Sequence, residues 1–117
     1  QNVTSFGTFL LAIDYQTGQP RWKRHFPGSG SWGGTYIGHH YLTTAGGLLF
    51  GGDPGGNLVA YDAATGDILW HVRLGDVSNA PQTFMLDGKQ YLIVAAVDAL
   101  YAFALPDAVL GQTDATR

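Results

Sequence analysis

An all-β fold of short antiparallel strands, grouped as blades of a β-propeller, is predicted by three observations. The composition disfavours helix, an eleven-residue motif occurs twice at a fixed offset, and one period of that repeat holds four short strand signals. The chain has 117 residues, of which 45% are hydrophobic and 13% charged. That balance excludes a disordered chain, which needs low hydrophobicity and high net charge. All nine acidic residues are Asp, no Glu occurs, and Lys23 and Lys89 are the two lysines. Glu and Lys are the chief surface helix formers, so a helical bundle is excluded. Seventeen glycines and 13% aromatic residues instead suit strands joined by tight turns.

The repeat supplies the second observation. Residues 12–22 read Ala-Ile-Asp-Tyr-Gln-Thr-Gly-Gln-Pro-Arg-Trp, and residues 60–70 read Ala-Tyr-Asp-Ala-Ala-Thr-Gly-Asp-Ile-Leu-Trp. Both fit A-x-D-x-x-T-G-x-x-x-W, and the second copy starts 48 residues after the first, Ala12 to Ala60. A decayed third copy, Leu100-Tyr101-Ala102-Phe103, aligns with Leu58-Val59-Ala60-Tyr61 but has lost the Asp, the Thr-Gly pair and the Trp.

Each motif reads as strand, turn, strand. Apolar residues precede the Asp, at 9–13 and 58–61. Asp14 and Asp62 are suited to accept a bond from a backbone N–H two residues on. Gly18 and Gly66 supply the positive φ that closes such a turn. The following strand carries Trp22 or Trp70, a flat apolar slab with one donor. Ala12 or Ala60 opposite leaves space for that slab, so both indoles are expected to be packing groups.

Four strands per period is the third observation. Strands are expected from Tyr41, Leu48, Leu58 and Ile68, then from Thr83, Gln90 and Leu100. Asp53-Pro54-Gly55-Gly56-Asn57 is a dense turn signal, and Asp87-Gly88 favours a type I′ hairpin. Four antiparallel strands in a repeat of this length make a propeller blade. The expected organisation is the end of one blade and a connecting loop over 1–40, a complete blade over 41–75, a three-stranded last blade over 76–106, and a flexible tail over 107–117. A frayed turn is the one helical feature expected, after Pro106. At this period the chain makes about two and a half blades, whereas propellers have roughly four to eight. Two blades leave sheet edges open, so the chain is expected to be a piece of a longer protein or to assemble with further blades. The absence of an initiator Met and of a signal peptide at Gln1-Asn2-Val3-Thr4 points the same way.

Several function classes drop out. The net charge of −3 provides no basic field for nucleic acid. Three of the six basic residues lie in Arg21-Trp22-Lys23-Arg24, read as a solvated strand face. With no Cys there is no thiolate metal site, disulfide or cysteine nucleophile. No apolar run approaches a membrane span. His39-His40 are adjacent on the chain and would point to opposite faces of a strand, so a surface loop is expected rather than a metal site. His25 and His71 are expected to be partly exposed. Asp53 with Asn57 is read as turn chemistry rather than a cation loop.

The repeats resemble the tryptophan-docking motifs of quinoprotein dehydrogenases, the alcohol and sugar enzymes that depend on pyrroloquinoline quinone (PQQ). Trp32-Gly33-Gly34 followed by Thr44-Ala45-Gly46-Gly47-Leu48-Leu49-Phe50 is similar to a late-blade segment of that family. Ala80-Pro81-Gln82-Thr83-Phe84-Met85-Leu86-Asp87-Gly88-Lys89-Gln90-Tyr91 is similar to its last-blade segment, and Leu100-Tyr101-Ala102-Phe103 to its final strand. The resemblance runs from about residue 7 to about residue 106, in family order. It implies the C-terminal end of an eight-bladed periplasmic propeller. It also implies hydride removal from an alcohol or sugar by PQQ, assisted by Ca²⁺ or a lanthanide. The family's catalytic base and metal ligands precede this segment, so no catalytic or metal-binding residue is assigned here. Trp32 and Gly33 are the expected cofactor-side residues; plain packing is the competing reading of Trp32. Nine residues separate Gly34 from Thr44, more than in alcohol-oxidising relatives, which puts the pocket wall near Trp32 in question. The docking motifs imply that Trp22 stacks on Ala12 and near Gly66, and Trp70 on Ala60, with the next clip decayed. An N-terminal strand completes the last blade in the family. Expected partners are the remaining blades or copies of the chain, and a small alcohol or sugar. A non-catalytic scaffold with PQQ-like repeats, of the outer-membrane assembly type, and a self-assembling blade protein are the alternatives.

Overall fold

The computed structural model describes residues 7–27 and 40–104. Within them lie nine strands in three antiparallel sheets and no helix. The tail from 107 and the turn expected after Pro106 lie outside the described residues.

The first sheet pairs β1 (Gly7–Ile13) with β2 (Pro20–Pro27). The second has the order β3-β4-β5-β6, with β3 (Tyr41–Thr43), β4 (Leu48–Gly52), β5 (Asn57–Asp62) and β6 (Ile68–Arg73). The third is β7-β8-β9, with β7 (Gln82–Leu86), β8 (Lys89–Ala96) and β9 (Ala99–Ala104). Every pairing joins strands consecutive in sequence, the up-and-down meander of a propeller blade.

The turns follow from local chemistry. Asp87 and Gly88 both have positive φ, 50° and 75°, as a type I′ turn requires between the paired residues Leu86 and Lys89. The Asp53 carboxylate accepts the backbone N–H of Gly55 and of Asn57 and both available contacts from the Asn57 side-chain amide. Those bonds close the 53–57 turn on itself.

The core lies between sheets rather than within one. Leu58, Val77, Leu92, Val94 and Ala96 are buried where the second and third sheets meet. Leu49, Val59 and Tyr61 are buried on the other face of the second sheet, with Leu10 and Trp22 of the first packed on them. β5 supplies both clusters because alternate residues face opposite ways. It is the strand buried on both faces, and its two neighbours β4 and β6 cover its edges. β7 has every residue exposed, and among the described residues no strand pairs with the outer edge of β9.

Candidate functional site

The site described by these coordinates is the junction around the two long motifs. In each motif the Asp builds the same turn. Asp14 Oδ1 accepts the backbone N–H of Gln16 and Thr17, at 2.9 and 3.1 Å, and Gly18 N–H reaches the Asp14 carbonyl at 2.7 Å. Asp62 Oδ1 accepts the N–H of Ala64 and Thr65, at 2.8 and 3.3 Å, and Gly66 N–H reaches the Asp62 carbonyl at 2.8 Å. The Thr17 and Thr65 hydroxyls accept the next free N–H, from Gln19 and Asp67. The glycines have φ of 71° and 78°. Both sheets carry an irregularity at the residue after the Ala, and both register each Trp opposite its Ala: Ala12 with Trp22, Ala60 with Trp70.

The two indoles then part ways. Trp22 lies flat against Gly66 of the next sheet, where an added Cβ would stand 2.6 Å from its Cε3. Its Nε1 donates to the Ala63 carbonyl at 3.0 Å, so the indole's one polar group is satisfied on the same turn. The position requires glycine twice over, for positive φ and for space. Among the described residues Trp70 meets no such turn. Ala104 stands in β9 where Asp62 stands in β5, so the residue that builds the turn in the other two copies is missing. Trp70 instead meets the edge of Phe103, with ring centroids 5.5 Å apart and planes at 74°. It remains 42% exposed. Trp70, whose next clip was expected to be decayed, is thus more exposed than Trp22.

The basic run is corrected. Arg21 and Lys23 are exposed, but Arg24 is not a solvated residue. Its guanidinium donates to the Gly66 carbonyl through Nε at 3.2 Å and through a terminal nitrogen at 2.6 Å, and lies 5.5 Å above the Tyr61 ring. A legible signal existed: residues two apart in a strand share a face, so Arg24 had to lie on the Trp22 side. Tyr61 is fully buried. Burial, followed by Tyr41 and Asp53, pushes its hydroxyl up to about 12, while Arg24 opposes that rise. Tyr41 is raised too, first by burial and then by Asp53. Both phenols stay neutral at physiological pH.

Partly covered Asp14 behaves oppositely. The Arg21 guanidinium, 2.7 Å away, is the main reason its carboxyl falls to about 2, with the N–H groups of Thr17 and Gln16 assisting. Leu69 occupies the matching place beside Asp62. His25 is half-buried and stacks on Phe9, with centroids 4.6 Å apart, and His71 is exposed. Among the described residues no three His, Cys, Asp or Glu side chains gather as a metal site. Trp32 and Gly33, the expected cofactor-side residues, lie outside the described residues, as do Gly34 and His39.

Three sheets of meander topology clipped by a repeated indole motif are the parts from which quinoprotein propellers are made, and the comparisons agree. Residues 7–110 match a family profile, PQQ_2, described as outer membrane protein assembly factor BamB. The quinoprotein alcohol dehydrogenase PedH of Pseudomonas putida is 41% identical over 88 residues, covering 74% of this chain and 14% of that protein.

The chain belongs to the PQQ family of quinoprotein propellers.

Methanol dehydrogenase subunit 1 of Paracoccus denitrificans is 33% identical over 116 residues, covering 92% of this quinoprotein chain and 17% of that one. A solved quinohemoprotein alcohol dehydrogenase of Pseudomonas putida superposes with a TM-score of 0.67 at 31% identity, over 84% of this chain and 14% of that one. A europium-containing methanol dehydrogenase gives a TM-score of 0.58 at 35% identity, covering 75% and 14%. The quinoprotein chain thus spans less than a fifth of the length of these relatives. Among its described residues no helix is long and apolar enough to cross a membrane.

Proposed function

We infer that this chain forms blades at the C-terminal end of a PQQ-dependent dehydrogenase that oxidises an alcohol or sugar in the periplasm. Its own part is mainly structural. The observation that carries this reading is 41% identity over 88 residues to a quinoprotein alcohol dehydrogenase, in a chain whose sheets are clipped by the motif Ala12, Asp14, Gly18 and Trp22 on Gly66. In this reading residues 1–40 end one blade, 41–75 make a complete blade, and 76–106 make a three-stranded last blade. Trp32 and Gly33, in the connection between β2 and β3, line one side of the cofactor site. A bound PQQ would then supply hydride-accepting chemistry, Ca²⁺ or a lanthanide would supply Lewis acidity, and Trp32 and Gly33 would flank the cofactor. In this reading the ion's ligands lie elsewhere in the protein.

A second reading is favoured by the family profile, whose description names an assembly factor. In that reading the same repeats serve a non-catalytic scaffold. The experiment is to load the intact protein with PQQ and either Ca²⁺ or a lanthanide and follow dye reduction across primary alcohols and sugars. Dye reduction that needs both PQQ and the ion, and a loss of PQQ occupancy in Trp32→Ala with folding unchanged, support the dehydrogenase. Absence of PQQ binding and of dye reduction across the panel supports the scaffold.

A further inference from the structure

The repeat lets the two sheets that carry the full motif be compared position by position. In the second sheet the receiving face is Val59 and Tyr61, 1% and 0% exposed, with Leu10 and Trp22 packed on them. The Ala63 and Gly66 carbonyls beside that face accept from Trp22 and Arg24. Leu11, Ile13, Tyr15 and Gly18 stand 48 residues earlier, at the same places in the first sheet. Leu10 packs on the second sheet, so Leu11 and Ile13 face away from it. They are 41% and 56% exposed. The turn beside them has the same Asp-built form, yet an added Cβ at Gly18 would meet nothing within 4 Å. Among the described residues nothing donates to the Tyr15 or Gly18 carbonyl. This is a second receiving face, built like the first and uncovered among the described residues.

The two faces differ in what they can receive. Beneath Arg24 lies the ring of Tyr61. In the uncovered face Ile13 holds that place, and Phe9 stands where the second sheet has Asn57. Phe9, Leu11 and Ile13 thus form a hydrocarbon strip where the filled face has Asn57, Val59 and Tyr61. A guanidinium laid on Ile13 would give up water with no ring beneath it. It would also meet Lys23, whose Nζ already lies 3.8 Å from the Phe9 ring centre, where the second sheet has His71. A strand with an apolar residue two places past its Trp meets neither cost. The chain's own indole strands are poor occupants. β2 carries Arg24 at that place and is already seated on Gly66. β6 carries the apolar Val72, but Val72 and Trp70 already pack against the third sheet.

We propose that the outer face of the first sheet, made by Leu11, Ile13 and the 14–18 turn, receives an indole-bearing β-strand from outside this sequence, one with an apolar residue two places after its Trp, and rejects a second copy of the chain. The incoming indole lies on Gly18 and donates to the Tyr15 carbonyl, as Trp22 lies on Gly66 and donates to Ala63. Ile13 and Tyr61 then tell two otherwise like faces apart, because each fits one partner and penalises the other. The proposal rests on the reading above in one respect, that the intact protein has further blades, and it does not depend on PQQ.

Photocross-linking in the intact protein tests it. Tyr15→p-azidophenylalanine replaces an exposed ring at the edge of the face with a reactive one of similar shape. Mass spectrometry identifies the peptide captured on illumination. The expected peptide lies outside residues 1–117 and contains a Trp with an apolar residue two places on. A Trp peptide with Lys or Arg at that place overturns the proposal and leaves further blades standing. A peptide without Trp overturns it as well. Capture confined to residues 1–117, in the same or a second copy, overturns both the proposal and the further blades. Gly18→Ala is the companion variant. Ala there also strains a φ of 71°, so the readout is indole N–H exchange rather than stability. One indole proton belonging to none of Trp22, Trp32 and Trp70 should exchange roughly tenfold faster, while Trp22 stays protected. Indole protons that all exchange as in the unmodified protein overturn the proposal.

Discussion

The two sheet junctions of this chain use the same residue in different ways. Between the first and second sheets, Trp22 enters a glycine slot, finds an acceptor for its N–H and is flanked by Arg24 on the same turn. Between the second and third, Trp70 has the same register against an alanine but meets the edge of Phe103 in place of a glycine slot among the described residues, and there the apolar plug Val77 closes the gap from the other end. An indole is therefore not a clip by itself. The receiving turn, built by an Asp and closed by a Gly, makes it one.

Substitutions that break this contrast should rank accordingly. Trp22→Ala removes packing and the Ala63 bond together and is expected to destabilise by about 3 kcal/mol, read as a fall in the denaturant midpoint at unchanged slope. Gly66→Ala fills the slot and forces a side chain into positive φ, costing about 2 kcal/mol by the same measurement. Arg24→Met strips two charge-assisted bonds from the Gly66 carbonyl and is expected to cost about 1.5 kcal/mol. Trp70→Ala, at an indole already 42% exposed, should cost only about 1 kcal/mol. A Trp70→Ala cost equal to that of Trp22→Ala would erase the distinction between the junctions.

The smallest effect is pH-dependent. The Asp14 carboxyl falls to about 2 in the folded chain, below its ordinary 3.8, mainly through Arg21. A lowered carboxyl stabilises the fold above its ordinary value, and that contribution fades as pH falls from about 4 towards 2. Asp14→Asn is therefore expected to flatten the acid limb of a thermal-midpoint profile between those values and to leave the profile near neutrality parallel to the original.

The strands, their order and the Asp-built turns were legible because each rests on local chemistry. Absence of Glu argued against helix, Asp87-Gly88 gave the hairpin, and the offset from Ala12 to Ala60 gave the blade period. The inter-sheet contacts were less so. Trp70 and Trp22 share a motif, and their different burial depends on what a distant turn offers. Arg24 looked like one more surface charge, and its role emerges only from counting faces along β2. Val77 carries no signature at all: a buried valine in a connection is set by tertiary fit, which no local pattern encodes. Trp32 and Gly33 were read by resemblance to the family, and the site they point to belongs to the proposed function.

The most direct test of the clip is exchange of the indole N–H protons, assigned by single Trp→Phe variants. Trp22 donates to Ala63 across the junction, whereas Trp70 has no such bond among the described residues. The Trp22 proton should exchange at least about tenfold more slowly than that of Trp70, and its protection should vanish in Gly66→Ala. Equal exchange of the two indoles, or protection of Trp22 that survives Gly66→Ala, would contradict a clip made by the receiving turn.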